Sequence, residues 1–97
     1  MAIYLVSYDL RKERSAEDYI RLYDALRSTG VFCWPLQSVW IIETSSSPSG
    51  IIAALLSSGA VDDNDGLLVV EMTGRANWRR VRSQEVADWL SASLQRA

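Results

Sequence analysis

Histidine is absent from this 97-residue chain, and cysteine occurs once. Without histidine there is no His-based catalytic triad, no His-ligated zinc and no histidine general base. The lone Cys33 forms no internal disulfide and holds no iron–sulfur cluster within one chain. Its neighbours Phe32 and Trp34 are typical of a packed thiol. Any metal site is therefore expected to use oxygen ligands, which Mg²⁺ and Mn²⁺ prefer.

Long apolar runs are also missing. No stretch approaches the ~20 apolar residues of a membrane-spanning helix. The first residues form a strand-like run without the basic segment of a signal peptide. Together with the single reduced cysteine, these features predict a cytoplasmic protein with no membrane partner.

Lysine is nearly absent, because nine of the ten basic residues are arginine and only Lys12 is lysine. Arginine binds carboxylates and phosphates through paired hydrogen bonds, although a preference for arginine across a genome gives the same composition. The net charge of −2 does not favour nucleic-acid binding by the molecule as a whole. A hydrophobic content of 48% and a charged content of 23% are typical of one small globular domain.

Apolar periodicity predicts the order β-α-β-β-α-β followed by a tail. The expected elements are a strand over residues 2–9, a helix over 16–29, two strands within 31–44, a helix entered at Ser47 and Pro48 and ended by Gly59, and a strand over 67–73. Right-handed crossovers between such units give a four-stranded antiparallel sheet with both helices on one face. The predicted fold class is therefore α+β and ferredoxin-like.

Several short signals locate the element boundaries. Ser15 and Asp18 form a capping-box pattern, and Gly30 is expected to stop the first helix. Pro35 predicts an edge, a bulge or a turn between the second and third strands. The acidic residues 62–65 are interpreted as a turn, with metal binding as an alternative.

Residues 1–74 are predicted to form the ferredoxin-like domain, and residues 75–97 an arginine-rich segment with an amphipathic helix from Ser83 onward. We expect this helix to pack on the domain or on a partner subunit. Its apolar side consists of Val86, Trp89, Leu90 and Leu94.

Three segments carry a family resemblance: "YDL" at the end of the first strand, "LQSVWIIET" in the third and "DGLLVVEMTG" in the fourth. Over residues 3–78 the chain resembles the CRISPR-associated spacer-acquisition proteins of the Cas-two type, and more closely their SinR-like bacterial relatives. The toxin VapD is a further relative by fold.

The resemblance implies a ferredoxin-like homodimer. In the family, the aspartate matched by Asp9 lies near its dimer mate and is proposed to hold Mg²⁺ or Mn²⁺ for phosphodiester cleavage, while other members grip duplex DNA as a scaffold. VapD is described as cleaving RNA. Family members commonly end in a short fifth strand that crosses to the partner, where this chain has its arginine-rich tail.

Asp9 is thus the candidate catalytic and metal-binding residue. Two copies related by a two-fold axis would together hold an ion that one carboxylate binds too weakly. The alternative is an acid paired with Arg11 or Lys12, or bonded to loop amides. Tyr8 could orient a phosphate or simply belong to the core. Glu43 lies on a third strand expected to run parallel to the first. It could approach the same edge, but a solvated strand end is the favoured interpretation.

Two basic groups are candidate nucleic-acid contacts. The larger group surrounds an indole, so that its members could bind phosphates and stack on a base, or form a solvated face with the indole inward. It consists of Arg75, Trp78, Arg79, Arg80 and Arg82. The smaller group, near Asp9, consists of Arg11, Lys12 and Arg14.

Two functions are therefore predicted. The first is a metal-dependent endonuclease acting on RNA or DNA as a homodimer. The second is a non-catalytic dimeric module that binds a nucleic acid or a protein. A regulatory domain for a small molecule also remains open.

Overall fold

A computed structural model describes residues 2–10, 15–73 and 75–96, with the backbone alone at residues 75, 95 and 96. The elements are β1 (Ala2–Asp9), α1 (Ala16–Arg27), β2 (Val31–Leu36), β3 (Val39–Thr44), α2 (Pro48–Ser57), β4 (Gly66–Glu71), β5 (Arg75–Ala76), α3 (Gln84–Ser93) and β6 (Gln95–Arg96). Within these residues, none of the helices has the length and apolarity needed to cross a bilayer.

The four longer strands form one antiparallel sheet in the order β2-β3-β1-β4. Val6 lies at its centre, opposite Trp40 of β3 and Val69 of β4. The predicted α+β class and the four-stranded antiparallel sheet are confirmed. The strand β1 is central, as its nearly continuous apolar sequence indicates.

Alternation along β1 assigns its side chains to two different layers. Tyr4 and Val6 face α1 and α2, where they are buried with Leu22, Leu26 and other apolar residues in the main core. Ile3 lies on the other face and packs against the C-terminal segment. The two predicted helices therefore cover one face of the sheet together.

The boundaries of α1 follow local hydrogen bonding. The predicted capping box is present, since Ser15 Oγ accepts the Asp18 N–H at 3.2 Å and the Asp18 carboxylate accepts the Ser15 N–H at 3.1 Å. The helix ends at Arg27 rather than at residue 29, and Ser28 caps it. Gly30 therefore does not stop the helix. Glycine is needed there because a Cβ would overlap the carbonyl oxygen of Glu43 on β3.

The entry to α2 is also as predicted. Ser47 Oγ accepts the Gly50 N–H at 3.0 Å, and Pro48 occupies the first turn. The chain leaves the helix through Gly59, whose φ of +78° is favourable only for glycine. Residues 62–65 form the predicted turn, in which the Asp62 carboxylate accepts the Asn64 N–H at 2.8 Å.

Strand β2 is an edge strand, and its pairing with β3 shifts register between Cys33 and Leu36. Pro35 lies within this irregularity, where its missing N–H leaves no ladder bond unmade. The prediction of an edge or bulge at Pro35 is confirmed.

The C-terminal segment returns over the second face of the sheet. Leu90 of α3 is buried against Cys33 and Ile41, with Trp78 and Trp89 packed around them. Strands β5 and β6 form a short parallel pair that the sequence did not predict. The segment thus covers the β2–β3 side of this face, whereas Leu68 and Val70 on β4 stay 58% and 45% exposed.

Candidate functional site

Asp9 is the last residue of β1, where the strand reaches solvent, and its backbone lies opposite Gly66 at the start of β4. The side chain is exposed. The predicted position of Asp9, at the carboxyl end of a central strand, is therefore what the structure shows.

A cavity of about 580 Å³ opens beside Asp9. It lies between the end of β1, one side of α1 and the β2–β3 turn. Tyrosines dominate its wall, in contrast to the charged side chains of an ordinary loop surface. The residues used in the following argument are Tyr8, Asp9, Tyr19, Tyr23, Gln37 and Ser38.

Two aromatic donors converge on one carbonyl at this cavity. Tyr8 Oη donates to the Gln37 carbonyl oxygen at 2.9 Å, and Trp34 Nε1 donates to the same oxygen at 3.1 Å. The Tyr8 bond holds the β2–β3 turn against β1, and the Trp34 bond braces the same turn from within the hairpin. One wall of the cavity is therefore fixed by a hydrogen bond between residues 29 positions apart.

Burial, and to a lesser extent the neighbouring Tyr23, raise the pKa of the Tyr8 hydroxyl to about 12. The buried Trp40 Nε1 opposes this rise by favouring the tyrosinate. That indole N–H nevertheless has no acceptor within hydrogen-bond distance among the described residues. Tyr8 is accordingly a neutral hydrogen-bond donor at physiological pH, and not a base.

The aromatic residues continue from the cavity wall into the interior as a contact series. Tyr19 contacts Tyr23 with ring centroids 6.1 Å apart, and Tyr23 contacts Trp34 at 4.5 Å. Trp34 in turn stacks on Trp40 at 4.9 Å with a 16° interplanar angle. The sequence contained one signal of this series, the i, i+4 spacing of the two tyrosines on α1, but not their meeting with the hairpin tryptophans.

Glu43 does not approach Asp9, and the expectation that its strand runs parallel to β1 is wrong. Strand β3 runs antiparallel to β1 and places Glu43 opposite Ile3. Asp9 lies six residue steps along β1 from Ile3, which is about 20 Å at the usual rise per residue. Adjacent strands of this sheet run in opposite directions, so the ends of β1 and β3 lie at opposite edges.

The described residues of one chain do not form a divalent-metal site around Asp9. The described part of the chain contains no group of three or more acidic or cysteine side chains arranged to hold an ion. Since a hard cation such as Mg²⁺ or Mn²⁺ needs several oxygen ligands, one carboxylate is too few. The basic residues expected beside Asp9, which are Arg11, Lys12 and Arg14, lie outside the described residues.

The described members of the second basic group lie in different surroundings. Trp78 is half-buried against the Leu90 cluster, as the structural alternative expected. Arg79 and Arg80 are exposed, and Arg80 has a φ of +54°. Arg82 instead lies over the Trp34 ring, its Cζ 3.6 Å from the centroid. The side chain of Arg75 lies outside the described part.

The arrangement can thus bind flat rings and anions more readily than it can transfer a proton. The cavity beside Asp9 offers tyrosine rings and a carboxylate, while Arg82 adds a positive charge over Trp34, outside this cavity.

Comparisons with models of protein families, with curated proteins and with solved structures find no match to this chain.

Proposed function

We propose that this chain is a ferredoxin-like protein of the Cas-two type that binds nucleic acid as a cytoplasmic homodimer and cleaves it at Asp9 with Mg²⁺ or Mn²⁺. The fold part of the proposal is supported by the strand order β2-β3-β1-β4 and by α1 and α2 covering the same face. A β-α-β-β-α-β chain in which each helix joins two strands separated by a third has this order.

The observation that carries the proposal is the position of Asp9. Its carboxylate is exposed at the end of a buried central strand, beside a cavity whose wall contains Tyr8, Tyr19 and Tyr23. Aromatic rings stack on nucleobases irrespective of base identity. An acidic residue at the edge of such a surface lies where a bound strand would present its phosphates.

A dimer is required because one Asp9 does not suffice for an ion. Strand alternation puts Asp9 on the same sheet face as Ser7, and Ser7 lies opposite Leu68 on β4. Leu68 and Val70 are the exposed apolar side chains of this region. A second copy seated there would approach Asp9 and could contribute its own carboxylate.

The non-catalytic dimeric module is the second candidate. A specific observation favours it: Asp9 is the single carboxylate among the described residues that line the cavity. The C-terminal segment also covers part of the sheet face through which two copies could approach each other. In this version the tyrosines and arginines bind a nucleic acid or a protein without cleaving it.

The test is cleavage and binding of end-labelled single-stranded RNA, single-stranded DNA and duplex DNA, with Mg²⁺, with Mn²⁺ and with EDTA. Asp9→Asn removes one charge at the proposed centre, and Asp63→Asn removes the same charge from the exposed turn as the control. We expect the first variant to lose cleavage and keep binding, and the control to keep both.

Binding without cleavage by the wild type, weakening steeply with salt, would support the module instead. Equal cleavage by the wild type and Asp9→Asn would reveal a contaminating nuclease and reject the catalytic role. Sedimentation of the wild type and of Leu68→Lys tests the dimer, since a lysine charge at an apolar interface opposes association. A wild type that is monomeric at all concentrations would exclude the paired-Asp9 site.

A further inference from the structure

A second cavity, of about 400 Å³, lies between the edge strand β2 and the beginning of α3. Its volume falls within the usual range for small-molecule sites, which is roughly 300–1,000 Å³. Aromatic rings and charged side chains both line it. The residues that matter here are Phe32, Trp34, Arg82, Glu85, Val86 and Trp89.

Arg82 is held in place before any ligand arrives. Its guanidinium covers one face of Trp34, and Trp40 stacks on that indole with centroids 4.9 Å apart. Trp40 is fully buried whereas Arg82 is exposed, so Trp34 contacts both a core residue and a surface residue. A guanidinium supported in this way loses little freedom when it binds a ligand.

The charge of Arg82 is not neutralised by its described surroundings. Among the described residues it makes no ion pair within 4.0 Å, in contrast to Arg27, which pairs with Asp24 at 3.2 Å. Glu85 is the single carboxylate among the described residues that line the cavity. The rim therefore presents one available cation beside one hydrogen-bond acceptor.

A flat ring joined to one anionic group fits these features. The half-buried Trp89 and the partly exposed Phe32 offer apolar ring surface, and Arg82 offers both its donor edge and its plane. Arginine planes and aromatic side chains stack on unpaired bases, and guanidinium edges bind phosphate with two hydrogen bonds. A base inside a duplex is stacked on both sides and is not accessible to such a cavity.

We propose that this cavity binds one unpaired nucleotide, with the base against Trp89 and its phosphate on Arg82. The inference deepens the proposed function and rests on it where the nucleotide belongs to a nucleic-acid strand. It is distinct from the Asp9 site, since the two cavities share no lining residue.

The test is binding of fluorescein-labelled deoxythymidine and deoxyadenosine decamers, of the matching duplex and of free AMP to the full chain. Arg82→Lys keeps the positive charge but removes the planar guanidinium, and Trp89→Leu removes the indole ring. Arg21→Gln, an exposed arginine on α1 that lines neither cavity, is the control. The melting temperature of each variant is measured as well, so that loss of folding is distinguished from loss of binding.

We expect Arg82→Lys and Trp89→Leu each to weaken decamer binding by about tenfold, as loss of one stacked base would. Arg21→Gln should change it by less than about twofold. AMP binding that is weakened by the same two variants would identify a free nucleotide as sufficient, whereas binding of decamers alone would identify the strand as the source.

Two results would overturn the inference. One is equal decamer binding by folded Arg82→Lys, folded Trp89→Leu and the wild type, which would reject this cavity while leaving the proposed function intact. The other is tighter binding of the duplex than of either decamer, with no effect of Trp89→Leu. Absence of any nucleic-acid binding by the wild type would instead reject the proposed function. In that case, AMP binding alone would test whether this cavity holds a nucleotide.

Discussion

The Arg82 guanidinium lies over the Trp34 indole, its Cζ 3.6 Å from the ring centroid, and so joins the C-terminal segment to the edge strand β2. The backbone strengthens the same junction, because the Arg82 N–H donates to the Pro35 carbonyl at 3.1 Å. Residue 82 is therefore fixed on β2 by a main-chain bond and by a cation–π contact, immediately before α3 begins.

Replacement of Arg82 by alanine should destabilise the chain. A cation–π contact at an exposed position contributes about 0.5–1 kcal/mol, and the backbone bond is unaffected by the change. We expect a loss of that size in the free energy of unfolding measured with urea. Arg79→Ala, on the same segment and exposed, should cost less than about 0.5 kcal/mol. Equal losses for the two variants would contradict a specific contact with Trp34.

Gly30 should be intolerant of a side chain for a steric reason. A Cβ at this position would overlap the Glu43 carbonyl on the neighbouring strand. We expect Gly30→Ala to lower the free energy of unfolding by about 3 kcal/mol, since β2 and β3 must separate. Gly59→Ala, where φ is +78° and no atom lies within 4 Å of the new Cβ, should cost about 1 kcal/mol. The reverse order, measured by urea unfolding, would exclude close backbone approach as the role of Gly30.

Tyr8 should make the protein sensitive to alkaline pH. Its pKa rises from 10.0 in the unfolded chain to about 12 in the fold. Below pH 10 the neutral hydroxyl is present in both states and its contribution to stability is complete. Between pH 10 and 12 only the unfolded state ionises, so that the free energy of unfolding falls with rising pH.

The size of this loss is about 1 kcal/mol, after allowance for solvent at a half-buried hydroxyl. Absorbance at 295 nm should show a tyrosine titration step near pH 12, and Tyr8→Phe should remove that step. Urea unfolding at pH 9 and at pH 11 should show a smaller difference for Tyr8→Phe than for the wild type. Tyr19→Phe is the control, and the same smaller difference for it would argue against Tyr8 as the origin.

Cys33 should report the position of the C-terminal segment. Burial raises the pKa of its thiol, and Leu90 of α3 packs against it. We expect labelling by a thiol reagent at pH 8 to be about 100-fold slower in the native protein than in denaturant. Leu90→Ala should accelerate labelling at least tenfold, because loss of a buried leucine costs about 2–5 kcal/mol of packing.

Ser91→Ala, on the same helix but exposed, is the matched control for this labelling and should leave the rate unchanged. Native labelling as fast as labelling in denaturant would mean that α3 does not cover the sheet. Acceleration by both variants to the same extent would mean that the helix, rather than the Leu90 contact, is sensitive to substitution.

The local elements could be predicted from the sequence because their signals act over a few residues. Hydrogen bonds between residues at most three positions apart form the Ser15–Asp18 capping box, the Ser47 cap and the turn at residues 62–65. Strand β1 was recognisable from its apolar content. The predicted role of Gly30 was wrong because the atom that requires glycine belongs to β3, 13 residues away.

The candidate site was predictable only in part. Asp9 could be placed at the end of β1, since that follows from one strand. The tyrosine-lined cavity could not, because Gln37 and Tyr8 meet only when β3 pairs with β1. Glu43 was misplaced for the same reason, since strand direction is a property of the whole sheet. The two-residue strands β5 and β6 are too short to leave a periodic signal.

The amino-acid order by itself determined which segments become helices or strands and where most of them begin, because hydrophobic periodicity and caps operate between near neighbours. Tertiary structure alone decided what those segments bring together: Arg82 over Trp34, Tyr8 on the Gln37 carbonyl, and Glu43 at the edge opposite Asp9. The physical reason is that these contacts join residues distant in sequence, and only the packing of the complete sheet and its helices specifies their geometry.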